Sequence, residues 1–135
     1  MSLSEEERKT LVTLELQKAY DAYEDIGILR QAGRWSGAAN RLYYSVFHAV
    51  NALFIHDGLQ STTHKGSHAL FNLHYIKTGV LPSDFGWLYN NLQTLREKSD
   101  YNCYFNVTEQ EIVEGIDLAR SFIETIDKLI NKDTL

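Results

Sequence analysis

Apolar residues recur along this chain at alternating spacings of four and three, the period of one helix face. The first series is Val12, Leu16, Ala19, Tyr23 and Ile26. Ser4 with Glu7 predicts its start as a capping box, in which each residue satisfies the other's backbone N–H. Gly33 predicts its end. A second helix is expected from Trp35-Ser36 to about His56, stopped by Asp57-Gly58. On its wheel Leu42, Val46, Val50 and Leu53 share one side, flanked by Tyr43, Phe47 and Phe54. Arg41, Ser45, His48 and Ala52 fall on the other side, which is expected to face solvent, a partner helix or a cleft.

A third helix is predicted over Thr63 to Lys77, burying Leu70, Leu73 and Ile76. Gly79 and Pro82 punctuate the stretch after it. A fourth runs from Ser83 to Lys98 with Phe85, Leu88, Leu92 and Leu95 on one face. Residues 99–107 read as an irregular, aromatic-rich connection. A second capping box, Thr108 with Glu111, opens the last helix. Its seam is Ile112, Ile116, Ala119, Ile123, Ile126 and Ile130. No strand is expected. The prediction is an all-α, antiparallel bundle of about five helices in a single domain over residues 1–135.

Composition narrows the class. A hydrophobic content of 44% over 135 residues is enough for a core without disulfides or metal. The lone Cys103 cannot pair internally, and the acidic start Met1-Ser2-Leu3-Ser4-Glu5-Glu6-Glu7 has no signal-peptide character. No apolar run approaches the roughly 20 residues of a membrane span. The expected compartment is the cytoplasm. A net charge of −5 argues against a general nucleic-acid coat, but not against a small cationic site where arginines converge. There is no Walker loop and no Gly-x-Gly-x-x-Gly, and no cofactor is expected.

The candidate chemistry lies on the second helix. Arg41 and His48 are seven residues apart, nearly two turns at about 3.6 residues each, so both point the same way. Such a pair can act on a phosphodiester, or it can be an ordinary solvated surface feature. His64 and His68 stand four apart, but Lys65 adjoins them and no glutamate lies between. Metal binding is therefore not expected, and His64 reads as a cap or surface residue. Arg96 and Asp100 are placed to pair along a helix, and Tyr101 reads as packed at a turn. Arg30 and Arg34 read as ordinary charge near a helix C-terminus, and Cys103 as a structural thiol.

The segment Asn40-Arg41-Leu42-Tyr43-Tyr44-Ser45-Val46-Phe47-His48-Ala49 resembles the signature helix of HEPN domains (higher eukaryotes and prokaryotes nucleotide-binding). Two further segments resemble the same family in order. One is His64-Lys65-Gly66 with Leu70-Phe71-Asn72, Tyr75 and Lys77-Thr78-Gly79. The other is Leu95-Arg96-Glu97-Lys98-Ser99-Asp100-Tyr101. The resemblance implies a helical bundle that commonly dimerises. In many members it also implies a metal-independent ribonuclease site, where the arginine and histidine of both subunits meet. Many small bacterial and archaeal members are toxins beside a nucleotidyltransferase-like antitoxin. Arg41 and His48 match the family's arginine and histidine. Two positions depart from the pattern. Leu42 stands where active members often carry a polar residue, and Val50 stands where some toxins carry a tyrosine modified by the antitoxin.

Metal-free RNA cleavage needs a base for the 2′-hydroxyl, a cation for the phosphorane and an acid for the 5′-oxygen. Histidine suits the proton transfers and arginine the charge. One His48 cannot easily serve both sides of a phosphate, whereas two copies across a two-fold axis can. The expectation is a homodimer with Arg41, Ser45 and His48 in the interface and Tyr44 at its edge. Ser45 is expected as a hydrogen-bond donor. The alternative is an inactive module that uses the same face to bind a nucleotidyltransferase-like partner or its own copy.

Overall fold

The structure, a computed structural model, describes residues 3–60 and 63–132. Met1 and Ser2 of the acidic start lie outside the described residues. The described residues form five α-helices: α1 (Glu5–Gln31), α2 (Trp35–Asp57), α3 (His64–Phe71), α4 (Ser83–Tyr101) and α5 (Glu109–Lys132). A π-helical turn, Asn72–Ile76, continues α3. The described residues contain no strand. None of their helices is long and apolar enough to cross a membrane.

The local signals explain most boundaries. Ser4 Oγ accepts from the Glu7 amide and the Glu7 carboxylate accepts from the Ser4 amide, both at 3.1 Å. Thr108 and Glu111 repeat the arrangement at the start of α5. Gly58 ends α2 at φ 74°, a left-handed conformation that costs a β-carbon-bearing residue energy. Thr63, rather than His64, caps α3, accepting from the Gly66 amide at 2.8 Å. The fourth helix runs three residues past Lys98 to Tyr101. An Arg96–Asp100 contact of 3.0 Å, one turn apart, supports that extension.

The largest correction concerns α3. Leu73 is 52% exposed, and Leu70 and Ile76 are only partly buried. Phe71 and Tyr75 are buried instead. The π turn, closed by the Lys77 amide on the Asn72 carbonyl at 2.9 Å, winds more residues into one turn and shifts the face beyond it. Phe71, just before the turn, and Tyr75, within it, put two aromatic rings into the core, a larger apolar payload than two leucines. Phe71 and Phe85 both meet Phe122 of α5, at ring separations of 5.5 and 4.8 Å. In α1, Ala22 takes the buried place expected of Tyr23, which stays half-exposed.

Helix α2 is the centre of the bundle. It packs along α1 on one side and against α4 and α5 on the other. Contacts of Arg8 with Ile55, Glu15 with His48 and Leu29 with Gly37 run in opposite chain order, so α1 and α2 are an antiparallel hairpin. Ser45 and Ala52, expected to face away from the core, are fully buried. A helix covered on two sides has only a narrow free strip, and small side chains at Ala38, Ser45 and Ala52 let a neighbour approach closely. Leu42 is also fully buried, and a β-carbon on Gly115 of α5 would come within 3.1 Å of it.

Candidate active site

The free strip of α2 carries Arg41, Tyr44 and His48, each partly buried. Tyr44 is their common neighbour. The Arg41 guanidinium lies 5.3 Å from its ring centre, and the His48 ring 6.0 Å from it. Arg41 Nε and Nη2 both donate to Asn40 Oδ1, at 3.2 and 2.8 Å, which steadies the guanidinium. Arg41 and His48 lie on one side of the helix, as their spacing implies, and Tyr44, expected only at the edge, stands between them. Ser45 is not part of the strip. Its hydroxyl donates to the Leu42 carbonyl at 2.7 Å inside its own helix, which leaves it no role at a protomer surface.

Other elements add groups that the spacing of α2 did not indicate. Arg96 of α4 is 8% exposed and lies 5.0 Å from the Tyr43 ring and 5.8 Å from that of Tyr44. It is a second cation beside the strip, with Asp100 as its ion-pair partner. Burial opposes its charge, but Tyr44, Tyr101, Tyr43 and Asp100 together hold its pKa above the ordinary value. His64 of α3 lies 4.9 Å from the Phe47 ring and 6.5 Å from that of Tyr44. Its Nδ1 is 2.5 Å from the Tyr43 hydroxyl. Burial first, and then the charge of Arg96, push the His64 pKa down, so its ring is neutral at pH 7. Burial and Tyr89 push the Tyr43 phenol up, and it stays protonated.

His48 is joined to α1. Its Nδ1 lies 2.7 Å from Glu15 Oε2, and the two side chains are only 20% and 19% exposed. Burial raises the Glu15 pKa. The hydrogen bond and charge of His48, with Lys18 and Asn51, outweigh that and hold the carboxyl below its ordinary range. Glu15 is therefore an ionised acceptor at neutral pH.

The remaining candidates separate from the strip. His68 packs against the edge of Tyr89 at 5.1 Å, while His64 packs on Phe47, so the two imidazoles serve different aromatic surfaces. No three His, Cys, Asp or Glu side chains among the described residues are grouped to hold a metal ion. Tyr101 is 79% exposed rather than packed, because α4 carries it past the end of the core. Cys103 is exposed in the connection between α4 and α5, which corrects its reading as a structural thiol. Arg30 lies 3.7 Å from Glu109 and is tied to α5 rather than to the strip.

Comparison with known proteins places this geometry. A HEPN domain model matches residues 12–129, from α1 into α5. A UPF0332 protein of Thermotoga maritima is 31% identical over 92% of this chain and 94% of its own. A Methanocaldococcus jannaschii protein named "Putative toxin MJ0605" is 29% identical over 78% of each chain. A second protein of that organism, with the same style of name and the number MJ0142, is 26% identical over 89% of this chain and 82% of its own. The family model thus takes in the α2 strip together with the α1, α3 and α4 residues around it, and the chain belongs to the HEPN domain family.

Proposed function

We propose that this protein is a metal-independent endoribonuclease of the toxin or defence type, acting as a homodimer with a composite Arg41/His48 site. The observation that carries the reading is the one half-open strip of α2. There Arg41 and His48 flank Tyr44, and Arg96 adds a second cation beside the same ring. The names of the two Methanocaldococcus jannaschii relatives support it. A nucleotidyltransferase-like antitoxin is the expected partner.

The chemistry rests on those groups. The RNA 2′-oxygen attacks the adjacent phosphorus as the bond from phosphorus to the 5′-oxygen breaks. One His48 takes the 2′-proton, and the other protomer's copy protonates the departing 5′-oxygen. Arg41 grips the equatorial oxygens, where negative charge grows in the transition state. The products are a 2′,3′-cyclic phosphate and a 5′-hydroxyl.

The test is cleavage of a labelled mixed-sequence RNA in EDTA, with an Arg41→Ala/His48→Ala variant alongside. The wild type is expected to cut, and the folded variant to lose at least the roughly 10²–10⁴-fold that acid–base catalysis supplies. Equal cleavage by both would remove the assignment.

Leu42 favours a second reading, an inactive module that binds a nucleotidyltransferase-like partner. The position that is often polar in active members is here an apolar residue sealed in the core against α5. An uncut RNA with an intact dimer would favour this reading.

A further inference from the structure

Outside the Arg41/His48 pair, the most informative contact near the strip joins α1 to α2. Glu15 and His48 are 33 positions apart in sequence, yet Oε2 and Nδ1 are 2.7 Å apart with both side chains about four-fifths buried. A surface ion pair would be loose and screened by water; this one is held between two helices that pack along much of their length. Around it, Lys18 and Asn51 act on the carboxylate, and Tyr44 and Phe47 lie beside the imidazole at ring separations of 6.0 and 5.4 Å.

An ionised carboxylate only accepts hydrogen bonds, so the contact requires the imidazole proton to sit on Nδ1. A neutral imidazole carries one N–H, and the bond made by one nitrogen decides the state of the other. With Nδ1–H committed to Glu15, the Nε2 lone pair is bare. It can accept a proton, and once protonated it can give that proton up.

We propose that Glu15 is the positioning residue of this site: its carboxylate accepts the Nδ1–H of His48, sets the tautomer and ring orientation, and leaves Nε2 to exchange protons with RNA. This rests on the nuclease reading for its consequence, but the effect on His48 is separately measurable. Glu15 makes no contact with RNA in this scheme.

The experiment uses the full chain in three forms: wild type, Glu15→Ala and Glu15→Gln. Circular dichroism and a thermal melt confirm that each is folded. Imidazole ¹⁵N spectra of labelled protein, at a pH where His48 is neutral, are expected to show Nδ1–H in the wild type. In Glu15→Ala they are expected to move toward the Nε2–H form that free histidine prefers. Glu15→Gln keeps the size of the side chain, but its amide N–H₂ can donate to Nδ1, so it should also lose the wild-type tautomer. On RNA in EDTA, Glu15→Ala should lower kcat by at least about 10- to 100-fold with KM unchanged, the size of loss that follows when the partner orienting a metal-bound histidine is removed. Glu15→Gln should lose kcat as well, because matching shape without an acceptor-only carboxylate does not hold the proton on Nδ1. An unchanged tautomer in Glu15→Ala overturns the proposal, whatever the RNA does. A shifted tautomer with undiminished kcat also overturns it, for Nε2 would not then be the working atom. A wild type that leaves RNA uncut while the tautomer shifts as expected overturns the nuclease reading and upholds Glu15's hold on His48.

Discussion

His68 is a half-buried histidine whose Nδ1 is sealed from solvent with no hydrogen-bond partner among the described residues. Burial lowers its pKa, and burial with Arg96 lowers that of His64. A histidine whose folded pKa lies below its unfolded one is held neutral by folding. The unfolded chain therefore binds more protons as pH falls below about 6.5, and stability declines with it. Glu15 adds to this further down. Its folded pKa is also depressed, so its contribution is present above the ordinary carboxylate value of 4.5 and fades as pH falls below it. Urea unfolding at about pH 7.5 and about pH 5 should show lower stability at the acid end. A His68→Phe variant, which keeps an aromatic ring against Tyr89, should narrow the gap between the two. An unchanged gap would show that His68 takes no part in it.

The helix ends are built from a few residues each, and their failures are local. Gly58 closes α2 with a left-handed backbone, and its neighbour Asp57 accepts from the Tyr75 hydroxyl at 2.5 Å. Gly58→Ala should cost about 1–2 kcal/mol, the penalty of a β-carbon in that conformation. A lowered urea midpoint with an unaltered slope would record it. The π turn at the end of α3 acts differently. It continues a face that Ser67 and Phe71 have already buried, so that Tyr75 is inside while Leu73 stays exposed. Apolar spacing alone cannot anticipate such a turn, because Leu70, Leu73 and Ile76 are a valid helical face until the aromatic rings are packed.

At the scale of the molecule, α3, α4 and α5 converge on Phe122, which is fully buried against Phe71 and Phe85. Phe122→Ala should cost about 3–5 kcal/mol, a large share of the roughly 5–15 kcal/mol that holds a domain together. A thermal melt should show a much lower midpoint, and a small change would mean that the cavity refills. The nuclease reading also requires two copies of His48 at one phosphate. Sedimentation equilibrium is expected to give a dimer. A monomer at all concentrations that cut RNA would mean that a single His48, with His64 or Arg96 of the same chain, performs the reaction.

The sequence by itself determined what depends on near neighbours along the chain. The two capping boxes, the Gly58 stop, the five helices and the shared direction of Arg41 and His48 come from spacings of a few residues, because helical periodicity and caps are local. The HEPN resemblance lay in the same local segments. Tertiary structure alone decided what depends on which helices dock where. It buried Ser45, brought Arg96 and His64 to the Tyr44 ring, and set Glu15 against His48. No spacing in the chain encodes those meetings. They arise because α2 is packed on two sides and keeps only one narrow strip open.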